Sequence, residues 1–216
     1  MDARRRVRMA LDTARAVMYL HAIDIVHCDI KSANLLVDKN WVVKVCDFGL
    51  SRKVSGGLAD GLNSMQGTFR WMAPELLRRW LMTGPDKLSN EPVTKQMDVY
   101  SFGVVMWELF TNQEPWKGFT FQQVTNMVAL QKGKLEVPSY VDDTVGTLIN
   151  SCLSNDPNLR PRFAEIVGVL RVRTPPLPNA SKVFCCESHG SQPHRHYTTR
   201  ASSVCISSCV FLCDAL

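Results

Sequence analysis

Val26-His27-Cys28-Asp29-Ile30-Lys31-Ser32-Ala33-Asn34 decides how the rest of this chain is read. Within nine residues it carries a carboxylate, an ammonium and a carboxamide, spaced two and then three apart. A helically periodic segment precedes it and a short apolar run follows. An Asp-x-Lys in a loop is usually solvated charge and nothing more. Read as chemistry, it is a base beside a cation that suits an anionic group, with an amide left to hold a metal ion. Thirteen residues beyond Asn34 stands Asp47-Phe48-Gly49, a second carboxylate ahead of a flexible glycine. Either element alone is weak evidence, and the ordered pair is strong.

Upstream, residues 3–21 are amphipathic. Val7, Ala10, Leu11, Ala14, Val17, Met18 and His21 recur at three and four with arginines between them, which predicts a helix. Downstream, Leu35-Leu36-Val37 and Val42-Val43-Lys44-Val45 flank the turn-rich Asp38-Lys39-Asn40-Trp41, which predicts a hairpin. Asp29 and Asp47 are then expected at the same end of one small sheet. Residues 50–70 have no hydrophobic period and read as a loop, closed by Ala73-Pro74-Glu75. A short helix is expected over 76–81, with turn chemistry at Thr83-Gly84-Pro85-Asp86. Residues 98–111 are apolar almost all round, the mark of a helix buried at the centre of a domain, and Asp98 is expected to cap its start. Three further helices are expected over 120–131, 143–154 and 163–172, punctuated by Pro138, Pro157 and Pro161.

Composition narrows the class. With 216 residues, 45% hydrophobic and 21% charged, the chain is an ordinary globular one with a core of useful size. The net charge of +5 is concentrated early, where Arg4, Arg5, Arg6, Arg8 and Arg15 oppose only Asp2 and Asp12. So short a basic run reads as the solvated face of a helix, not as a nucleic-acid footprint. Five of the eight cysteines lie beyond residue 184, which fits a reducing compartment and not a disulfide scaffold. The sequence lacks a signal core and a membrane-length apolar run, so a cytoplasmic protein without a transmembrane segment is expected.

The quoted residues resemble the C-terminal lobe of a eukaryotic protein kinase. His27-Cys28-Asp29-Ile30-Lys31-Ser32-Ala33-Asn34 is similar to the catalytic loop, Asp47-Phe48-Gly49 to the metal-binding triplet, and Ala73-Pro74-Glu75 to the end of the activation segment. Asp98-Val99-Tyr100-Ser101-Phe102-Gly103 resembles the family's buried central helix, and Arg160 the arginine that pairs with the glutamate at 75. Finer features, including Gly67-Thr68-Phe69-Arg70-Trp71-Met72, resemble plant-type Raf-like MAP kinase kinase kinases. The resemblance covers residues 1–173. It implies a mainly α kinase-like C-lobe with a small β-hairpin at the catalytic loop, serving transfer of the γ-phosphate of ATP to protein Ser/Thr hydroxyls in a signalling cascade.

Roles follow residue by residue from that resemblance. Asp29 is the implied base for the substrate hydroxyl, and Lys31 the cation that offsets the transferring phosphoryl group. Asn34 and Asp47 are the implied ligands of Mg²⁺, holding it against ATP. Lys31 two after Asp29, and Thr68 after Gly67, follow the serine/threonine-specific pattern, while Phe69-Arg70-Trp71 leaves dual specificity open. Glu75 and Arg160 are assigned to structure, Trp107 and Trp116 to packing, and Ser51, Ser55 and Ser64 stand as possible phosphosites.

Four features depart from the family. Only 26 residues precede His27 and no Gly-x-Gly-x-x-Gly occurs, so a chain without the ATP-binding small lobe is expected. A second reading, a non-catalytic kinase-derived interaction module or truncated product, stands beside the first for that reason. Cys28 replaces the usual arginine, so loop phosphorylation is not expected to be the on-switch, and the thiol itself reads as partly buried and inert. Between Glu75 and Asp98, residues 78–90 read as an inserted surface loop. From residue 174 to 216 the chain is rich in Ser, Cys and His and reads as a disordered tail. The spacing of His189, His194, His196, Cys205, Cys209 and Cys213 does not suit zinc, and the final four residues do not suit prenylation.

Overall fold

Asp2 accepts the Arg5 amide at 2.8 Å and so starts α1, Ala3–Ala22, by satisfying one of the donors that a helix start leaves orphaned. The computed structural model describes residues 1–54, 68–84 and 93–173, with the backbone of a two-residue strand at 204–205. The apolar stripe of α1 is buried as its periodicity requires, with Met9, Ala10, Ala14 and Val17 wholly enclosed. It packs against α6 (Phe163–Arg173), against α3 (Lys95–Thr111) and against the hairpin.

Helix α3 is the centre of the molecule. Phe102, Met106 and Leu109 are fully buried, each worth about 1.5–3 kcal/mol of transfer free energy. It lies against α5, Asp143–Cys152, so closely that a Cβ on Gly103 would sit 2.7 Å from the Cβ of Cys152. Trp107 and Trp116 are both buried, and Trp107 Nε1 donates to the Glu136 carbonyl at 2.7 Å. Both tryptophans are therefore packing residues.

The short strands serve the loop between them. Strand β1 (Ile25–Val26) pairs antiparallel with β4 (Arg52–Lys53), and β2 (Leu35–Val37) with β3 (Val43–Val45) in the register Leu35↔Val45. Strand β5, Val204–Cys205, lies antiparallel on the other edge of β2. Helix α2, Pro74–Thr83, opens with proline in its first turn, where no amide hydrogen is needed. Helix α4, Phe121–Thr125, has a full capping box between Thr120 and Gln123.

Four expectations are corrected here. Helix α3 begins at Lys95 behind Thr94, so Asp98 lies within its first turn and caps nothing; its carboxylate is taken by other donors. Residues 78–83 are the second half of α2, not part of a surface loop. The segment expected as one helix over 120–131 changes pitch at Asn126, where Asn126–Leu130 form a π-helix and the Gln131 amide reaches back to the Asn126 carbonyl at 3.1 Å. The loop 27–34 also contains a 3-10 turn, Ser32–Asn34, that the sequence did not announce. Ser55 and Ser64, residues 85–90, and the tail apart from the backbone of β5 lie outside the described residues.

Candidate functional site

The loop between β1 and β2 is held from below by α3. Asp98, only 1% exposed, accepts the backbone amide of His27 at 2.8 Å and that of Cys28 at 2.9 Å. It also binds His21 Nε2 at 2.8 Å. These bonds steady a strained turn, because Cys28 adopts φ 66°, a region that side chains other than glycine seldom occupy. His27, fully buried, fixes the next step. Its Nδ1 accepts the Asp29 amide at 3.3 Å, which leaves Nε2 to donate to the Cys46 carbonyl at 3.1 Å. One imidazole thus ties the loop to the strand end that leads into Asp47.

Four of the five site residues expected from sequence meet in one cluster. Lys31 Nζ lies 2.8 Å from Asp29 Oδ2 and donates to Thr68 Oγ1 at 2.9 Å. Asn34 Nδ2 donates to both the carbonyl and Oδ2 of Asp29, each at 2.8 Å. Asp29 is 6% exposed, and its second oxygen, Oδ1, is buried without a hydrogen-bond partner among the described residues. A buried carboxylate oxygen is costly to leave unmatched, which sets Oδ1 apart from Oδ2. Asp29 lines a crevice together with Thr68, Trp71 and Met72.

Asp47 stands apart from that cluster. It is exposed, with φ 63°, and Oδ1 accepts the Gly49 amide at 3.4 Å. It is linked to the others through the chain, since the neighbouring Cys46 amide donates to the Asn34 carbonyl at 2.9 Å. Phe48 lies against the His27 ring, with centroids 5.1 Å apart.

The donor set suits a hard cation. With Nδ2 of Asn34 committed to Asp29, its carbonyl oxygen is the atom left for a ligand, and the Asp47 carboxylate is solvent-facing. Two protein oxygens, with the remaining positions taken by water and phosphate, are what Mg²⁺ ordinarily accepts. No cluster of three or more His, Cys, Asp or Glu that would favour another metal occurs among the described residues.

Sequence reasoning missed Glu108. It is 2% exposed in the heart of α3, yet Ser32 Oγ donates to its Oε1 at 2.9 Å and Trp71 Nε1 to its Oε2 at 2.7 Å. Burial pushes its carboxyl up to about 7, against the opposing pull of those two hydrogen bonds. A lone acid inside an apolar run was the available signal.

Other expectations fall into place. Arg160, fully buried, makes a bidentate pair with Glu75 at 2.7 Å for both bonds. Cys28 is partly buried, and burial, followed by the nearby Asp98 charge, pushes its thiol up to about 12, the behaviour of an inert thiol. Ser51 Oγ donates to the His27 carbonyl at 3.3 Å. A groove of about 1100 Å³ between α5 and α6 contains none of the five site residues.

Comparison with known proteins agrees with the motifs. The family model for protein tyrosine and serine/threonine kinases matches residues 1–170. The chain is 47% identical to a probable serine/threonine-protein kinase, SIS8, of Arabidopsis thaliana, over 91% of this chain and 18% of that protein. It is 46% identical to the serine/threonine-protein kinase CTR1 of the same plant, over 79% of this chain and 20% of that protein. The serine/threonine/tyrosine-protein kinase HT1, also of Arabidopsis thaliana, is 38% identical over 76% of this chain and 39% of its own length. The chain thus spans about a fifth of the length of the first two relatives. No helix among the described residues is long and apolar enough to cross a membrane.

Proposed function

The chain belongs to the protein tyrosine and serine/threonine kinase family, among serine/threonine kinases of the plant Raf-like type, and from that premise we propose that Asp29, Lys31, Asn34, Asp47 and Thr68 form its phosphotransfer site. The observation that carries this reading is the unequal state of the two Asp29 oxygens. Oδ2 is held by Lys31 and Asn34, while Oδ1 is buried and unmatched, aimed for one more donor. A serine or threonine hydroxyl is such a donor, and Oδ1 accepts its proton as the oxygen attacks.

Bound Mg²⁺ and ATP supply the phosphoryl group and much of the charge neutralisation, since phosphoryl transfer is mostly positioning and electrostatics. Asn34 and Asp47 would hold the metal through oxygen. Lys31, already poised between Asp29 and Thr68, holds Asp29 Oδ2 in place and faces the anionic group in flight. Thr68 places the Lys31 ammonium and presents the end of the activation segment to the substrate hydroxyl. Residues 1–173 act in this reading as the catalytic-loop lobe of the kinase domain, with a protein as the substrate.

Phosphotransfer from Mg-ATP to a serine-containing protein substrate tests this. Asp29→Asn is expected to lower the turnover rate by about 10²–10⁴ while leaving the Mg-ATP thermal shift in place. Asp47→Ala is expected to remove that shift. Equal transfer by wild type and Asp29→Asn overturns the assignment, and a wild-type chain with neither transfer nor a nucleotide shift favours the non-catalytic reading.

A further inference from the structure

Glu108 closes a circuit that runs through the site. Lys31 is bonded to Thr68, the Thr68 carbonyl accepts the Trp71 amide at 3.0 Å, and the Trp71 indole donates to Glu108. Glu108 in turn accepts from Ser32, the residue next to Lys31. Ser101, two turns earlier on α3, holds the other side of Trp71 by donating to its carbonyl at 2.8 Å. The loop that carries Asp29 and the segment that carries Thr68 are far apart in the chain. Two ties join them, one through Lys31 at the surface and one through Glu108 below it.

We propose that Glu108 is a positioning residue of the phosphotransfer site, a buried two-armed clamp that sets where Lys31 and Thr68 stand relative to Asp29. The proposal rests on the reading of those three residues given above. Nothing about Glu108 suits a merely space-filling role. Leu or Met in its place would satisfy an apolar helix without leaving a carboxylate to be desolvated. Both arms end on groups that otherwise have to be matched, a buried hydroxyl and an indole N–H. Each protonation state keeps them, because a neutral carboxyl still offers Trp71 an acceptor and meets the Ser32 hydroxyl with its own proton. Ser32 also lies inside the 3-10 turn that delivers Asn34, where the Asn34 amide donates to the Lys31 carbonyl at 2.9 Å and the Leu35 amide to the Ser32 carbonyl. Loosening the clamp therefore loosens the amide that braces Asp29.

Hydrogen exchange and phosphotransfer on the full chain test the clamp separately from the site. In Glu108→Ala the Asn34 and Leu35 amides and the Trp71 indole are expected to exchange at least about tenfold faster, with the Leu153 amide of α5 unchanged. Glu108→Gln, which offers one acceptor and one donor in the same place, is expected to restore wild-type protection. Ser32→Ala and Trp71→Phe, milder changes that keep the fold if Glu108→Ala does not, are each expected to speed exchange on the other arm. In transfer assays Glu108→Ala is expected to lower the turnover rate and leave the KM for ATP within about twofold, with recovery in Glu108→Gln. Unaltered exchange at Asn34, Leu35 and Trp71 in all three truncations overturns the proposal. Transfer by Asp29→Asn equal to that of the wild type overturns the underlying reading instead, and the exchange result still judges the clamp.

Discussion

Asp98 Oδ1 accepts the backbone amide of Cys28 at 2.9 Å, joining the buried central helix to the one residue of the 27–34 loop with a left-handed backbone. Its Oδ2 takes the His27 amide and the His21 ring as well. A single carboxylate thus satisfies three donors, two of them in buried hydrogen bonds. Asp98→Ala is expected to destabilise the chain by at least about 3 kcal/mol, since each abandoned buried donor costs about 1–3 kcal/mol. Urea unfolding of the two proteins measures it, and a loss below 1 kcal/mol (roughly the value of one ordinary hydrogen bond) would show that the loop stands without this anchor.

The Glu75–Arg160 pair is asymmetric. Arg160 is fully enclosed, whereas 23% of the Glu75 side chain reaches solvent. Removing Glu75 leaves a buried guanidinium without its counter-charge, so Glu75→Ala is expected to cost about 3 kcal/mol. Arg160→Lys is expected to destabilise nearly as much as Arg160→Ala. A point-charge ammonium cannot serve both Glu75 oxygens together with the Ser154 and Gln96 carbonyls that the guanidinium also reaches. Thermal melts of the three variants decide this, and a wild-type melting temperature in Arg160→Lys would refute it.

Glu108 makes stability depend on pH in a direction unusual for a carboxylate. In the folded chain it holds its proton up to about pH 7, against an ordinary value of 4.5. Between those limits the native state binds the extra proton, so its contribution is full below pH 4.5 and is lost as pH rises through 7. Glu108→Gln removes the effect. Relative to that variant, the wild type is expected to lose about 3 kcal/mol between pH 4.5 and pH 8. Parallel stability curves for the two proteins across that range would show that Glu108 is ionised throughout.

Cys28 and Cys152 share a protected chemistry. Burial pushes both thiols up to about 12, with the Asp98 charge adding to the effect at Cys28. Iodoacetamide at pH 8 is expected to label both roughly a thousandfold more slowly in the native chain than in denaturing urea. Site-resolved mass spectrometry separates them from the other cysteines. Rapid native labelling of Cys28 would mean that the thiol is reachable and ionisable, and would overturn its assignment as inert.

Much of the fold was legible because its determinants are local. The stripe of α1, the hairpin around residues 38–41 and the all-apolar α3 follow from spacing alone, while Asp29, Lys31, Asn34 and Thr68 were singled out by the resemblance of their motifs to those of the family. What escaped depends on partners far away in the chain. Asp98 looks like a helix cap until the loop amides some seventy residues earlier are seen to take both of its oxygens, His27 on Oδ2 and Cys28 on Oδ1. Glu108 has the same character, with Ser32 lying 76 residues away. The change to π pitch at Asn126 leaves no mark in the apolar pattern, which fits either helix for so short a run.

Gly103 and Cys152 are, in steric terms, one position divided between two helices. The crossing of α3 and α5 has room for a single Cβ, and Cys152 supplies it. The two sites are therefore free to vary only as a matched pair. A side chain added at 103 is accommodated only where one is given up at 152, or where α5 moves outward and carries the whole 143–152 segment with it. The central helix that holds the 27–34 loop from beneath is in this way gauged from the opposite side, and the distance between the two helices is a quantity that drift in either one alone cannot change without cost.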